Sequence, residues 1–95
     1  MSHRHFHADV TLHSAEQGGR SGPLESGYRS LLRFEGVEEN FGAELSPDSG
    51  NLWPGTSGRA HISVWAGDLL PPMHPGATFE VREGGRVVGQ GTIVE

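Results

Sequence analysis

The chain has 95 residues, with 15 glycines, 6 prolines, no cysteine and a net charge of −5. This length fits one domain, and the many glycines and prolines argue against a helical bundle and for short strands joined by turns. The lack of cysteine excludes a disulfide framework and a cysteine-ligated zinc site. All basic residues are arginine, and the acidic balance disfavours a nucleic-acid binder.

No segment approaches the roughly 20 apolar residues that a membrane-spanning helix needs. The first seven residues, MSHRHFH, contain no apolar core of the kind found in secretory signals. We therefore expect a cytoplasmic protein that does not associate with a membrane.

Strict alternation of apolar and polar residues opens the chain. Phe6, Ala8, Val10 and Leu12 alternate with polar side chains, which predicts a strand over residues 6–12 with one buried face. A long polar loop rich in glycine is expected to follow over residues 14–27.

Three further strands are predicted in the middle of the chain, at residues 28–35, 41–45 and 60–65. Tyr28, Leu32 and Phe34 would share one face of the first of these, and turn-forming residues fill positions 46–51. Alternation therefore continues through this part of the sequence, with Ile62 and Val64 pointing inward.

A proline-rich loop over residues 69–75 separates these strands from the last two, which are predicted at 77–82 and 86–94. Gly84 and Gly85 between them are a two-residue hairpin signal. Gly89 and Gly91 are interpreted as sites where a barrel strand bends sharply. Six short strands at this spacing indicate a sandwich or a closed barrel, and closure would remove exposed edges.

Several motifs resemble the C-terminal β-barrel domain of elongation factor Tu. They are EQGGR at 16–20, GYR at 27–29, PG at 54–55 and above all REGGRVVGQG at 82–91. Their order and spacing match from about residue 3 to residue 94. The resemblance implies an all-β fold, a closed six-stranded antiparallel barrel, with residues 1–95 forming a single domain.

In that family the barrel packs against a GTP-binding domain, contacts the nucleotide-exchange factor and holds the T-stem of aminoacyl-tRNA. The present sequence has no lysine and no phosphate-binding loop of the Gly-x-x-x-x-Gly-Lys type. We therefore expect a free-standing copy of one module, with no GTP, no cofactor and no catalytic residues.

The resemblance also implies a binding site. The RNA or partner contacts carried over from the family are Arg82, Glu83, Gly84, Gly85, Arg86, Arg20 and Arg29. Other tRNA-contacting positions of the family are occupied by Leu31, by Asn40 and by a residue near Leu69, which favours a protein partner over tRNA. The alternative is that the motif residues only shape the turns.

Two other groups of residues are candidate sites. Trp53, Trp65, Leu69 and Leu70 could form an apolar partner-binding face, or else a plug for one end of the barrel. His3, His5 and His7 lie on one face of the first predicted strand together with Asp9, where imidazoles could chelate a divalent metal. The alternative is a solvated N-terminus whose histidines bind nothing.

Three functions follow from these observations. The leading hypothesis is a non-enzymatic interaction module that binds a protein partner, either a component of the translation machinery or a second copy of the chain. The second is an RNA- or tRNA-binding module that uses the hairpin at residues 82–86. The third is a metal-binding protein that uses the row of histidines.

Overall fold

A computed structural model describes residues 4–65 and 73–95 of the chain. The predicted site residues His3, Leu69 and Leu70 lie outside this part. The strands are β1 (Arg4–Leu12), β2 (Leu24–Glu25), β3 (Tyr28–Phe34), β4 (Phe41–Pro47), β5 (Asn51–Leu52), β6 (Ser57–Val64), β7 (Thr78–Glu83) and β8 (Arg86–Ile93). A short 3₁₀ helix, Ala15–Gln17, lies between β1 and β2.

Six of these strands close into a barrel in the order β1-β6-β4-β3-β7-β8, and β8 pairs with β1 to complete the ring. Every neighbouring pair is antiparallel. The predicted all-β fold, a closed six-stranded antiparallel barrel, is therefore confirmed. Closure leaves the backbone of these six strands without a free sheet edge.

The apolar side chains that recur at every second residue of the strands fill the interior of the barrel. In β4, buried residues alternate with partly exposed ones from Phe41 to Pro47, because successive side chains of a strand point to opposite faces. Four phenylalanines contact one another in the interior, with ring centroids 5.8 to 6.4 Å apart: Phe6, Phe34, Phe41 and Phe79. Each buried apolar side chain of this size stabilises the fold by about 1.5–3 kcal/mol relative to an exposed one.

Two short strands were not predicted from the sequence. β2 lies within the predicted loop 14–27 and pairs with β5, which lies at the end of the predicted turn 46–51. Leu24 and Leu52 face each other in this small sheet, and both are buried in the core. Two residues are too few to show a period, so alternation could not reveal these strands.

The glycines of β8 have a packing role in addition to the bend predicted there. A Cβ atom on Gly91 would lie 2.4 Å from the ring of Phe79, and one on Gly89 would lie 2.7 Å from the carbonyl oxygen of Thr11. The two positions therefore need glycine because neighbouring groups lie directly against the backbone. An irregularity does occur nearby, where the β7–β8 register shifts between Val81 and Arg82.

Candidate functional site

The predicted binding motif forms the hairpin between β7 and β8. Glu83 and Arg86 are the last paired residues, and Gly84 and Gly85 form the two-residue turn between them. Gly84 has a φ of +62°, whereas Gly85 is not among the residues with positive φ. A positive φ at the first central position only is the pattern of a type II′ turn, which requires glycine there. The predicted hairpin is confirmed.

Glu83 is the centre of a polar cluster at the base of this hairpin. Its Oε2 accepts hydrogen bonds from Arg20 Nη1 and from the Tyr28 hydroxyl, and its Oε1 lies 3.2 Å from Arg86 Nη2. The guanidinium of Arg20 also lies over the Tyr28 ring, 4.6 Å from its centroid. The structure thus brings together Arg20, Tyr28, Glu83 and Arg86, which belong to three separate motifs of the sequence.

The cluster shifts the pKa values of its members. Burial would raise the pKa of Glu83, but hydrogen bonds from Tyr28 and Arg20 and the charge of Arg20 outweigh it, so this pKa lies below its usual value. Burial raises the pKa of Tyr28, and the hydrogen bond to the Glu83 carboxylate raises it further. Burial would lower the pKa of Arg20, but Glu83 and Tyr28 raise it overall. The favoured state is an ionised Glu83 held between a cation and a neutral phenol.

Arg82, the first residue of the motif, lies on the same side of β7 as Glu80 and contacts groups of its own hairpin. Its side chain is only 15% exposed, and its Nη1 donates to Glu80 Oε1 at 2.6 Å. Its Nη2 donates to the carbonyl oxygen of Gly85 at 3.3 Å. The charge of Arg82 is therefore neutralised within the hairpin, and its contacts hold the turn in place.

Arg86 and Arg29 face outward. The side chain of Arg86 is 56% exposed and that of Arg29 is 76% exposed. Arg29 lies 3.8 Å from Glu44 and has its guanidinium 5.6 Å from the centroid of the Trp65 ring. Of the predicted arginines, these two are the ones whose positions would allow an external contact.

Trp65 follows β6 and covers the outer wall of the barrel at β4. Its amide donates to the carbonyl oxygen of Gly42 at 3.0 Å, and a Cβ on Gly42 would lie 2.8 Å from its ring. Trp53, which is 57% exposed, precedes β6, so the length of that strand separates the two tryptophans. The structure therefore does not bring the predicted apolar residues Trp53 and Trp65 into one patch.

The described residues of the predicted histidine row, His5 and His7, lie on the outer face of β1 together with Asp9. Phe6 and Ala8 between them point into the interior. A further imidazole, His61 of β6, lies directly opposite His7. The sequence did not reveal His61 as a neighbour because its position depends on which strands pair. As the side chains stand, no three metal-ligating groups within residues 4–65 and 73–95 surround a common point.

A groove of about 640 Å³ crosses the outer face of β1, β3, β7 and β8. Its acidic residues already have partners: Asp9 lies 3.4 Å from Arg59, Glu35 accepts a hydrogen bond from Thr78, and Glu80 binds Arg82. The carboxylates that line the groove are thus all engaged with neighbouring side chains.

Comparison with protein families matches residues 1–95 to the family described as the elongation factor Tu C-terminal domain. The chain belongs to the elongation factor Tu C-terminal domain family. The closed six-stranded barrel agrees with this membership. No GTPase domain is present in the 95 residues. Within the described residues, no helix has the length and apolarity needed to cross a membrane.

Proposed function

We propose that this member of the elongation factor Tu C-terminal domain family is a non-enzymatic, cytoplasmic module that binds a protein partner of the translation machinery. The observation that supports a protein partner is that the charged side chains of the β7–β8 hairpin bind other groups of the same chain. Arg82 binds Glu80 and Gly85, and Glu83 binds Arg20, Tyr28 and Arg86. Three of the arginines that could bind a phosphate backbone, Arg20, Arg82 and Arg86, thus already bind carboxylates of the barrel.

A candidate contact surface lies on the outer wall of β3 and β4. It consists of Arg29, Glu44 and the ring of Trp65, which packs over Gly42. Tryptophan and arginine are the residue types that most often dominate the energetics of protein interfaces. The net charge of −5 further favours a protein surface over a polyanion.

Affinity capture with matched variants tests this proposal. The immobilised chain and its variants Trp65→Ala, Arg29→Ala and Arg82→Gln are each exposed to untreated and to RNase-treated extracts of the source cells. We expect stoichiometric recovery of a translation protein, weakened about tenfold or more by Trp65→Ala or Arg29→Ala, because truncating an interface anchor costs about 2 kcal/mol. Arg82→Gln should bind normally.

Three results would contradict the proposal. They are recovery of no protein above background, recovery that RNase abolishes, and equal binding by wild type, Trp65→Ala and Arg29→Ala. Thermal melting of each variant shows whether a loss of binding reflects unfolding. Light scattering distinguishes a foreign partner from a second copy of the chain.

RNA binding is the second candidate, and the exposure of Arg86 beside the glycine turn favours it. A short RNA stem labelled for fluorescence anisotropy provides the test. If the hairpin binds RNA, the logarithm of the binding constant should fall linearly with the logarithm of the salt concentration. Arg86→Gln should reduce the magnitude of this slope by about 1, the contribution of one phosphate contact. Absence of binding at about 50 mM salt would exclude this candidate.

A further inference from the structure

Three imidazoles meet on the outer surface of β1 and β6. We call them the histidine triplet: His5, His7 and His61. The ring of His61 lies 5.3 Å, centroid to centroid, from the ring of His5 and also 5.3 Å from the ring of His7. The barrel itself fixes this proximity, because β1 and β6 pair in a register that sets His7 opposite His61.

The spacing suits a shared transition-metal ion. Zinc binds imidazole nitrogen at about 2.0–2.1 Å in tetrahedral geometry, which places the centres of two coordinated rings roughly 5 Å apart. The two separations in the histidine triplet have this value without any movement of the strands. The rings themselves must turn, because His5 and His61 are now stacked with planes 21° apart. Such a rotation is a change of side-chain torsions on the outer surface of the barrel.

A carboxylate lies beside the triplet, near the ring nitrogen of His7 that would not bind the metal. Glu95 Oε1 is 3.6 Å from His7 Nδ1. The backbone holds the two residues together, since the His7 amide donates to the Glu95 carbonyl oxygen at 2.8 Å. Metal-binding histidines commonly direct one ring nitrogen to a carboxylate, which fixes the tautomer and frees the other nitrogen for the metal. At 3.6 Å the two groups are not hydrogen-bonded, but a closer approach of Glu95 would fix this tautomer and leave Nε2 of His7 available.

We propose that the histidine triplet binds a divalent first-row transition metal of the Zn²⁺ type, with His7 and His61 as the cross-strand ligands and His5 as the third. Imidazole nitrogens select Zn²⁺, Cu²⁺ or Ni²⁺, whereas Mg²⁺ and Ca²⁺ prefer oxygen ligands. This ligand set replaces His3 of the sequence prediction by His61, which comes from a different strand. The bound ion would link β1 to β6.

Zn²⁺ titration of the 95-residue chain, followed by calorimetry and by thermal melting, tests the proposal. Wild type should bind one Zn²⁺ and should melt at a higher temperature with Zn²⁺ than with EDTA, because a ligand of the folded state raises its stability. His61→Gln and His7→Gln should each weaken binding at least tenfold, and Glu95→Gln should weaken it about tenfold. Mg²⁺ should produce no shift.

His74→Gln is the matched control, because His74 is an exposed histidine whose Nδ1 lies 3.1 Å from the Pro75 carbonyl oxygen, outside the triplet. It should bind Zn²⁺ like wild type. Melting of every variant in EDTA separates loss of the site from loss of the fold. No binding at millimolar Zn²⁺, or equal affinity in His61→Gln and His74→Gln, would overturn the proposal.

Discussion

Glu83 of the β7–β8 hairpin binds Arg20, which lies 63 residues earlier in the chain. The same carboxylate oxygen accepts the hydroxyl of Tyr28. Arg20 ends the EQGGR motif, Tyr28 is the centre of GYR and Glu83 belongs to REGGR. Three motifs that identify the family therefore converge on one carboxylate, and their joint presence has a structural reason independent of any partner.

Glu83→Gln should destabilise the barrel by about 1–2 kcal/mol. The substitution keeps the size of the side chain but removes the negative charge that Arg20 and Arg86 face, and hydrogen bonds to charged groups are stronger than neutral ones. Urea denaturation should show a lower midpoint with an unchanged slope. The effect should persist in moderate salt because the side chains of Arg20 and Glu83 are only 25% and 26% exposed.

Glu44→Gln is the control for this prediction. Glu44 also pairs with an arginine, but the Arg29 partner lies 3.8 Å away and both side chains are well exposed. Exposed pairs of this kind contribute little to stability, so Glu44→Gln should unfold at nearly the wild-type urea concentration. Equal effects of the two substitutions would contradict a structural role for the Glu83 cluster.

Acid should remove the contribution of Glu83. Because the folded state lowers the pKa of Glu83, its stabilisation is fully present above the unfolded pKa of about 4.3 and is lost as pH falls through the folded pKa. The difference in unfolding free energy between wild type and Glu83→Gln should therefore stay constant from pH 7 to about pH 5 and shrink below that. A difference that grows on acidification would have the wrong sign.

Tyr28 is the single tyrosine of the chain, so the phenolate absorbance near 295 nm reports on it alone. Burial and the Glu83 carboxylate raise its pKa well above the usual value of about 10. The folded protein should show little phenolate between pH 10 and 11. The stabilisation linked to the raised pKa is present below pH 10 and is lost as pH rises toward the folded pKa.

Glu83→Gln should move the Tyr28 titration toward pH 10, because the substitution removes the negative charge that accepts a hydrogen bond from the hydroxyl. Circular dichroism at each pH ensures that the protein is still folded. An unchanged titration in Glu83→Gln would show that burial alone raises this pKa.

Alanine should be destabilising at one of the two turn glycines and not at the other. Gly84 has a φ of +62°, a conformation that costs an L-residue about 1–2 kcal/mol. At Gly85, φ is not positive and a Cβ would meet no atom within 4 Å. Gly84→Ala should therefore lower the urea midpoint, whereas Gly85→Ala should leave it unchanged or raise it, because alanine restricts the unfolded chain. Equal destabilisation by both would contradict the turn geometry.

The sequence predicted the six barrel strands, most directly β1, where Phe6, Ala8, Val10 and Leu12 show a period of two. The hairpin was equally predictable, since Gly84 and Gly85 lie between two such strands. β2 and β5 were missed because two residues show no period. Their positions are defined by the pairing of Leu24 with Leu52, a contact between parts of the chain that the sequence does not connect.

The candidate sites were only partly predictable, because side-chain contacts depend on which strands pair. The resemblance named Arg82 as a contact residue, but only the structure shows that Arg82 turns back to Glu80 and the Gly85 carbonyl. His61 could not be found because nothing in the sequence indicates that β6 pairs with β1. Local motifs thus located the hairpin, while strand order determined which side chains are neighbours.

Gly91→Ala should destabilise the barrel by about 1–3 kcal/mol, the usual cost of overpacking a core. The new methyl group would lie 2.4 Å from the Phe79 ring. That ring has little room to move, because its centroid lies 5.9 Å from that of Phe6 and 5.8 Å from that of Phe34. A double-mutant cycle with Phe79→Leu isolates the contact: if the clash is the cause, the double variant should be more stable than the sum of the single effects predicts. If the two single effects simply add, the destabilisation by Gly91→Ala comes from the β8 backbone and not from the contact with Phe79.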